Sequence, residues 1–193
     1  MATRIFLLDK SGSMETVLDD TIGGFNSFLR EQVPLGGNLT LYTFSDTCKC
    51  EYRDVPIEEV NPLTHDTYIP GGCTALYDSM GTILKDYTGK EGIFVVLTDG
   101  KENSSRKYTK AHVKDLIEAS KLEMMYVGVD LDSAADMGIR NTVTYDHART
   151  PEMFRLVSQS VTASVERQNV SQPVEKVCSK EATDSTNRRC TSH

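Results

Sequence analysis

Short runs of consecutive apolar residues alternate with stretches in which apolar residues recur every three or four positions. Residues 3–8 (Thr-Arg-Ile-Phe-Leu-Leu) form the first run and stop abruptly at Asp9-Lys10-Ser11-Gly12-Ser13. A run of this kind predicts a buried strand. Leu18, Ile22, Phe25 and Leu29 then keep a helical period to about residue 33, where Pro34-Leu35-Gly36-Gly37 ends it. Gly23-Gly24 lowers the helix propensity of that stretch and predicts close packing against a neighbour. Residues 38–45 alternate in polarity, and a second extended piece at 48–55 predicts a hairpin across Asp46-Thr47. The stretch 56–73, with Pro56, Pro62, Pro70 and Gly71-Gly72, reads as an exposed connection.

The same alternation continues downstream. A helix is predicted from Thr74 or Ala75 to about Tyr87, with Leu76, Met80, Ile83 and Leu84 on one face. The second all-apolar strand, Gly92 to Thr98, again ends in an aspartate, Asp99. A helix at 107–121 is expected to bury Val113, Leu116 and Ile117, and a strand at 123–129 ends at Asp130. A short helical turn through Ala134–Met137 and a weak strand at 141–145 follow. The last helix reads clearly, with Thr150 as N-cap, Pro151 at the first helical position, and Met153, Leu156, Val157, Val161 and Val165 on one face. From Val170 onward periodicity stops, so the reading is one domain over residues 1–170 and a disordered tail over 171–193. Strands that are continuously apolar need cover on both faces. The fold class expected is therefore α/β, a three-layer sandwich with a mostly parallel central sheet. The piece near 48–55 is the one antiparallel edge strand, because a two-residue connection cannot join parallel neighbours.

Composition narrows the partners. The 193 residues are 38% hydrophobic and 25% charged, as in an ordinary globular domain. The 21 Lys and Arg against 28 Asp and Glu leave a net charge of −7 without a basic stripe, which argues against nucleic acid as a partner. The longest apolar stretch, Ile93-Phe94-Val95-Val96-Leu97, falls far short of the roughly 18 residues that cross a bilayer. Ile5-Phe6-Leu7-Leu8 is too short for the core of a signal peptide, so neither membrane nor export is expected and the cytoplasm is the expected location. Cys48, Cys50, Cys73, Cys178 and Cys190 lack the paired spacing of zinc knuckles and read as reduced thiols.

In open α/β sheets, ligands bind outside the carboxyl ends of the strands. Two apolar strands here end in carboxylates, Asp9 and Asp99, and the loop Gly71-Gly72-Cys73-Thr74 lies between them in sequence. Oxygen ligands without a His or Cys set suit hard cations: Mg²⁺, Mn²⁺ or Ca²⁺. Asp9-Lys10-Ser11-Gly12-Ser13 fits D-x-S-x-S, Thr74 follows it, and Asp99 stands in Leu-Thr-Asp-Gly. This order resembles the metal-ion-dependent adhesion site (MIDAS) of the von Willebrand factor type A (vWA) family, over about residues 3–169. The resemblance implies a Rossmann-like fold and a metal site made of Asp9, Ser11, Ser13, Thr74 and Asp99. It implies that Ser11 and Ser13 ligate directly, that Thr74 does so directly or through water, and that Asp9 and Asp99 mostly hold coordinated waters. The remaining position would accept an acidic side chain from a partner protein. Neutral direct ligands leave the cation's charge poorly compensated, so an added carboxylate gains a strong interaction.

Other readings remain at this stage. Asp9, Asp99 and the serines are also ordinary turn and cap residues, and Asp130 reads as a turn or cap. Asp78, one turn after Thr74, either supports the site or is a solvated or capping residue. His65, His112, His147 and His193 have no ligand spacing and read as surface histidines. The expected function is a non-enzymatic, metal-dependent protein-binding module. A Mg²⁺-dependent phosphohydrolase with Asp9 as nucleophile is the rival, but Ser11 holds the place where that chemistry wants an acid. A scaffold with a vestigial metal site is the third reading. The nucleotide signatures G-x-G-x-x-G and G-x4-G-K-[ST] are missing.

Overall fold

A computed structural model describes residues 3–171. The strands are β1 (Thr3–Asp9), β2 (Asn38–Phe44), β3 (Cys48–Pro56), β4 (Glu91–Leu97), β5 (Lys121–Gly128) and β6 (Asn141–Thr144). The helices are α1 (Leu18–Gln32), α2 (Leu76–Asp86), α3 (Lys110–Glu118), α4 (Leu131–Asp136) and α5 (Thr150–Ser171). They build one sheet in the order β3-β2-β1-β4-β5-β6. Every neighbouring pair is parallel except β2 with β3, which run antiparallel at the edge.

Strand periodicity explains the layers. Successive side chains of a strand point to opposite faces. Phe6 and Leu8 of β1, with Ile93, Val95 and Leu97 of β4, meet Phe25, Phe28, Phe154 and Val157 of α1 and α5 on one side. Ile5 and Leu7, with Phe94 and Val96, meet Leu76, Met80, Ile83, Val113 and Ala134 of α2, α3 and α4 on the other. The continuous apolar runs are thus two interleaved faces, each covered by helices. The predicted α/β sandwich with its antiparallel edge strand is what the chain forms. Close packing at the glycine pair falls on Gly24, where a Cβ would lie 2.1 Å from the Phe154 ring, while Gly23 faces open space.

Three expectations need correction. The stretch 56–73 is more than an exposed connection: Ile57, Val60, Leu63 and Tyr68 are buried in the α1–α5 layer. The third long helix is shorter than 107–121, because Thr109 and His112 form a capping box that starts it at Lys110, and β5 already begins at Lys121. Thr150 is the first residue of α5 and does not cap it; a 3₁₀ turn, His147–Arg149, runs into the helix, and the Thr150 hydroxyl donates to the His147 carbonyl at 3.3 Å. Apart from Ser171, which ends α5, the tail expected over 171–193 lies outside the described residues, as do Cys178, Cys190 and His193. Among the described residues no helix is long and apolar enough to cross a membrane.

Candidate metal centre

β1 and β4 lie side by side at the centre of the sheet, and the chain leaves them in opposite directions, toward β2 and toward β5. Such a switch point opens a crevice at the carboxyl ends of the strands. Asp9, the last residue of β1, and Asp99, two residues past β4, both project there.

Asp9 is fully buried, and both carboxylate oxygens are held. The Ser11 amide donates to Oδ1 at 2.6 Å, and the Thr98 hydroxyl donates to Oδ2. Burial pushes the Asp9 carboxyl up to about 6; the Thr98 and Ser11 donors oppose that rise, and the charge of Asp99 adds to it. The Asp9 backbone carbonyl accepts from the hydroxyl of buried Tyr68.

The two serines follow from the turn after β1. Ser11 is buried and stands in extended conformation just before a 3₁₀ turn, Gly12–Val17. Its hydroxyl lies 3.3 Å from that of Ser13, and Ser13 Oγ donates to Asp99 Oδ1 at 2.6 Å. The loop is tied down by Gly71, whose amide donates to the Lys10 carbonyl at 2.7 Å, and by Gly12, whose amide donates to the Gly72 carbonyl at 3.1 Å. Gly72 takes φ +83°, and a Cβ there would strike Asp46 Oδ2 at 2.1 Å, so only glycine fits.

Thr74 arrives from the same loop and is buried. Its amide donates to Asn103 Oδ1 at 2.8 Å, and its carbonyl accepts from the Asn103 amide at 3.1 Å. The Glu102 carboxylate accepts from the Tyr77, Ser104 and Ser105 amides, which locks the loop after β4 onto the start of α2. A Cβ placed on Gly100 would lie 3.0 Å from Thr74 Oγ1 and 3.7 Å from Asp9 Oδ2. The Thr74 hydroxyl and the Asp9 carboxylate therefore face one small space that a side chain at residue 100 would fill.

The five predicted residues converge. Four form a hydrogen-bonded chain, Asp9–Ser11–Ser13–Asp99, and Thr74 borders the same space. Asp78 turns away: its carboxylate accepts from the Arg106, Lys107 and Tyr108 amides and organises the loop before α3. Asp130 is the N-cap of α4, accepting from the Ser133 amide, as one of its two sequence readings held. Thr98, Asn103, Glu102 and Tyr68 escaped the sequence reading. Thr98 stood inside the quoted Leu-Thr-Asp-Gly and was the most accessible to it. His147, read as a surface histidine, has its Nε2 only 3.6 Å from Asp99 Oδ2.

The donor set fits a divalent cation. Asp99 Oδ2 is buried and has no hydrogen-bond partner among the described residues. A buried acceptor left unpaired is costly, and a cation satisfies it. Among the described residues no three His, Cys, Asp or Glu side chains cluster as a metal set, so any ion here relies on the hydroxyls as well.

No protein-family profile matches the sequence, and no curated protein matches it. Solved structures do match. VWA2, a paralog of ArnB from Sulfolobus acidocaldarius, superposes with a TM-score of 0.62 at 16% identity, covering 79% of this chain and 44% of that one. Proximal thread matrix protein 1 of the mussel byssus, in a structure with zinc in its MIDAS motif, gives 0.58 at 17% identity, covering 82% and 47%. The vWF domain of the pilus tip protein Mfa5 from Porphyromonas gingivalis gives 0.63 at 9% identity, covering 85% and 96%. The chain spans less than half the length of the mussel and Sulfolobus proteins. At these identities the likeness shows the fold alone, a vWA/Rossmann-like α/β fold.

Proposed function

We propose that this vWA-fold domain, residues 1–170, is a metal-dependent protein-binding module. In this reading Asp9, Ser11, Ser13, Thr74 and Asp99 hold a Mg²⁺, Mn²⁺ or Ca²⁺ ion. The observation that carries it is Asp99 Oδ2, a buried carboxylate oxygen without a hydrogen-bond partner among the described residues, beside two hydroxyls and a second carboxylate. The bound cation supplies a positive charge that the hydroxyls do not neutralise, and a carboxylate from a partner protein answers it. Asp9, with both oxygens pinned by Ser11 and Thr98, orients the site, and Asn103 and Glu102 keep Thr74 at its rim. The proposed setting is the cytoplasm, where Cys48, Cys50 and Cys73, unbridged among the described residues, would stay reduced.

Calorimetry with Mg²⁺, followed by a pull-down with Mg²⁺ and with chelator, tests the reading. Asp9→Ala is expected to abolish cation binding and metal-dependent capture together. Thr74→Ala is expected to weaken capture more than cation binding, since the vWA resemblance makes Thr74 the ligand that changes between states. An Asp9→Ala protein that binds Mg²⁺ as the wild type does overturns the assignment.

A further inference from the structure

We propose that His147 is a further ligand of this cation site, one that Zn²⁺ uses and Mg²⁺ does not; the inference rests on the metal site proposed above. Three observations meet at the imidazole. First, Nε2 lies 3.6 Å from Asp99 Oδ2, the oxygen without a hydrogen-bond partner, on a side chain with no solvent exposure. Second, the hydrogen-bond network assigns the tautomer. The Thr16 hydroxyl donates its single proton to the Ser13 carbonyl at 3.0 Å, so it meets His147 Nδ1, at 3.3 Å, with a lone pair. In the neutral ring Nδ1 then carries the proton, and Nε2 turns its lone pair toward the Asp99 carboxylate oxygen. A cation between the two atoms would be ligated by both. Third, the ring is held in place: Tyr145 packs edge-on against it, with centroids 5.3 Å apart and planes at 73°. The 3₁₀ turn that carries it is capped by Asp146, which accepts from the Ala148 amide at 3.0 Å.

The spacing favours one class of metal. Zinc binds imidazole nitrogen at about 2.0–2.1 Å and carboxylate oxygen at about 2.0–2.2 Å. An ion bridging a 3.6 Å pair at those lengths subtends about 120°, close to tetrahedral or trigonal geometry. Adjacent ligands of octahedral Mg²⁺ stand about 3.0 Å apart, and Mg²⁺ keeps to oxygen donors. Imidazole suits zinc and its neighbours in the transition series. The oxygen set thus accepts the hard ion, and His147 adds an affinity specific to the softer one. No ligand spacing in sequence joins residue 147 to residue 99. The 3₁₀ turn before α5 brings them together.

Calorimetric titration of the full chain with Zn²⁺ and with Mg²⁺ decides, on wild type, His147→Gln and Asp9→Ala. His147 is half-exposed, so its replacement leaves folding intact. His147→Gln is expected to lower Zn²⁺ affinity about tenfold or more while leaving Mg²⁺ affinity within about twofold. Zinc should also shift the His147 ring resonances in NMR, which an ion-pair role alone would not require. Equal Zn²⁺ affinity in wild type and His147→Gln overturns the inference and leaves the oxygen site standing, with His147 as an ion-pair neighbour of Asp99. Zinc bound by Asp9→Ala at wild-type affinity places that ion elsewhere and also overturns it. A wild type that binds neither ion overturns the site reading as well.

Discussion

β1 carries a buried charged residue near each end, and the two are treated differently. Asp9, at the carboxyl end, has both oxygens hydrogen-bonded, and the orphan beside it, Asp99 Oδ2, borders a crevice made of loops. Arg4, at the amino end, is fully buried, and burial lowers its pKa. Its Nε donates to Gln32 Oε1 at 3.2 Å, yet Nη1 and Nη2 have no hydrogen-bond partner among the described residues. Gln32 in turn donates to Ser158 and Thr162, so a polar cluster is sealed between β1, α1 and α5. Both ends leave polar atoms unpaired, but only one leaves them where a ligand can arrive. An orphan in a loop-lined crevice points to an ion. An orphan inside packed helices is a cost the fold carries, since isolated buried charges are seldom stabilising.

Removing each orphan should therefore have unlike consequences. Asp99→Ala is expected to give the largest change. At a Mg²⁺ concentration of a hundred dissociation constants, the wild type should gain about 2.7 kcal/mol of stability, and the variant should gain none. Its metal-free stability should match or exceed the wild type's, because a buried unpaired acceptor has gone. Urea unfolding with Mg²⁺ and with chelator measures both, and a variant that still gains from Mg²⁺ would break the contrast.

Arg4→Met comes next in size. Replacing the lone buried guanidinium by an apolar chain of similar length is expected to stabilise the protein by about 1–3 kcal/mol and leave cation binding unchanged. A loss of about 3 kcal/mol or more in the same unfolding experiment would mean that Arg4 answers a negative charge.

The smallest effect belongs to Asp78. Its carboxyl is partly desolvated, which raises its pKa, but the Arg106, Tyr108 and Lys107 amides outweigh that and hold it below the usual carboxylate range. A depressed folded-state pKa contributes stability above the unfolded value, and that contribution is lost as pH falls through the folded one. Acid unfolding of Asp78→Asn should accordingly start from a slightly lower plateau at neutral pH and fall less steeply below about pH 4. Identical acid limbs would show that the loop at 106–108 holds itself in place.

Much of this was written in the chain's local pattern. Two apolar runs, each ended by an aspartate, announced two-faced strands and placed Asp9 and Asp99 at one edge of the sheet. The hairpin followed from the short connection at Asp46-Thr47. What escaped depends on long-range packing. Tyr68 sits in a Pro-rich stretch that reads as surface, and its burial exists only because the stretch lies over α1 and the end of β1. Arg4 stands within the first apolar run, but that its guanidinium is sealed depends on α1 and α5 closing over it. His147 belongs to a polar turn, and its approach to Asp99 depends on how α5 docks against α1 at Gly24.

The central place of β1 also has a bearing on how the chain matures. β1 pairs on one side with β2, but its other edge waits for β4, which begins at Glu91. Until then a newly made chain presents Ile5-Phe6-Leu7-Leu8 along an open strand edge, a template for pairing with other chains. Contacts of such separation slow folding and lengthen that exposure. Because Asp9 stands at the tip of the same strand, the half-finished chain has one carboxylate of the proposed site without the other until Asp99 has emerged.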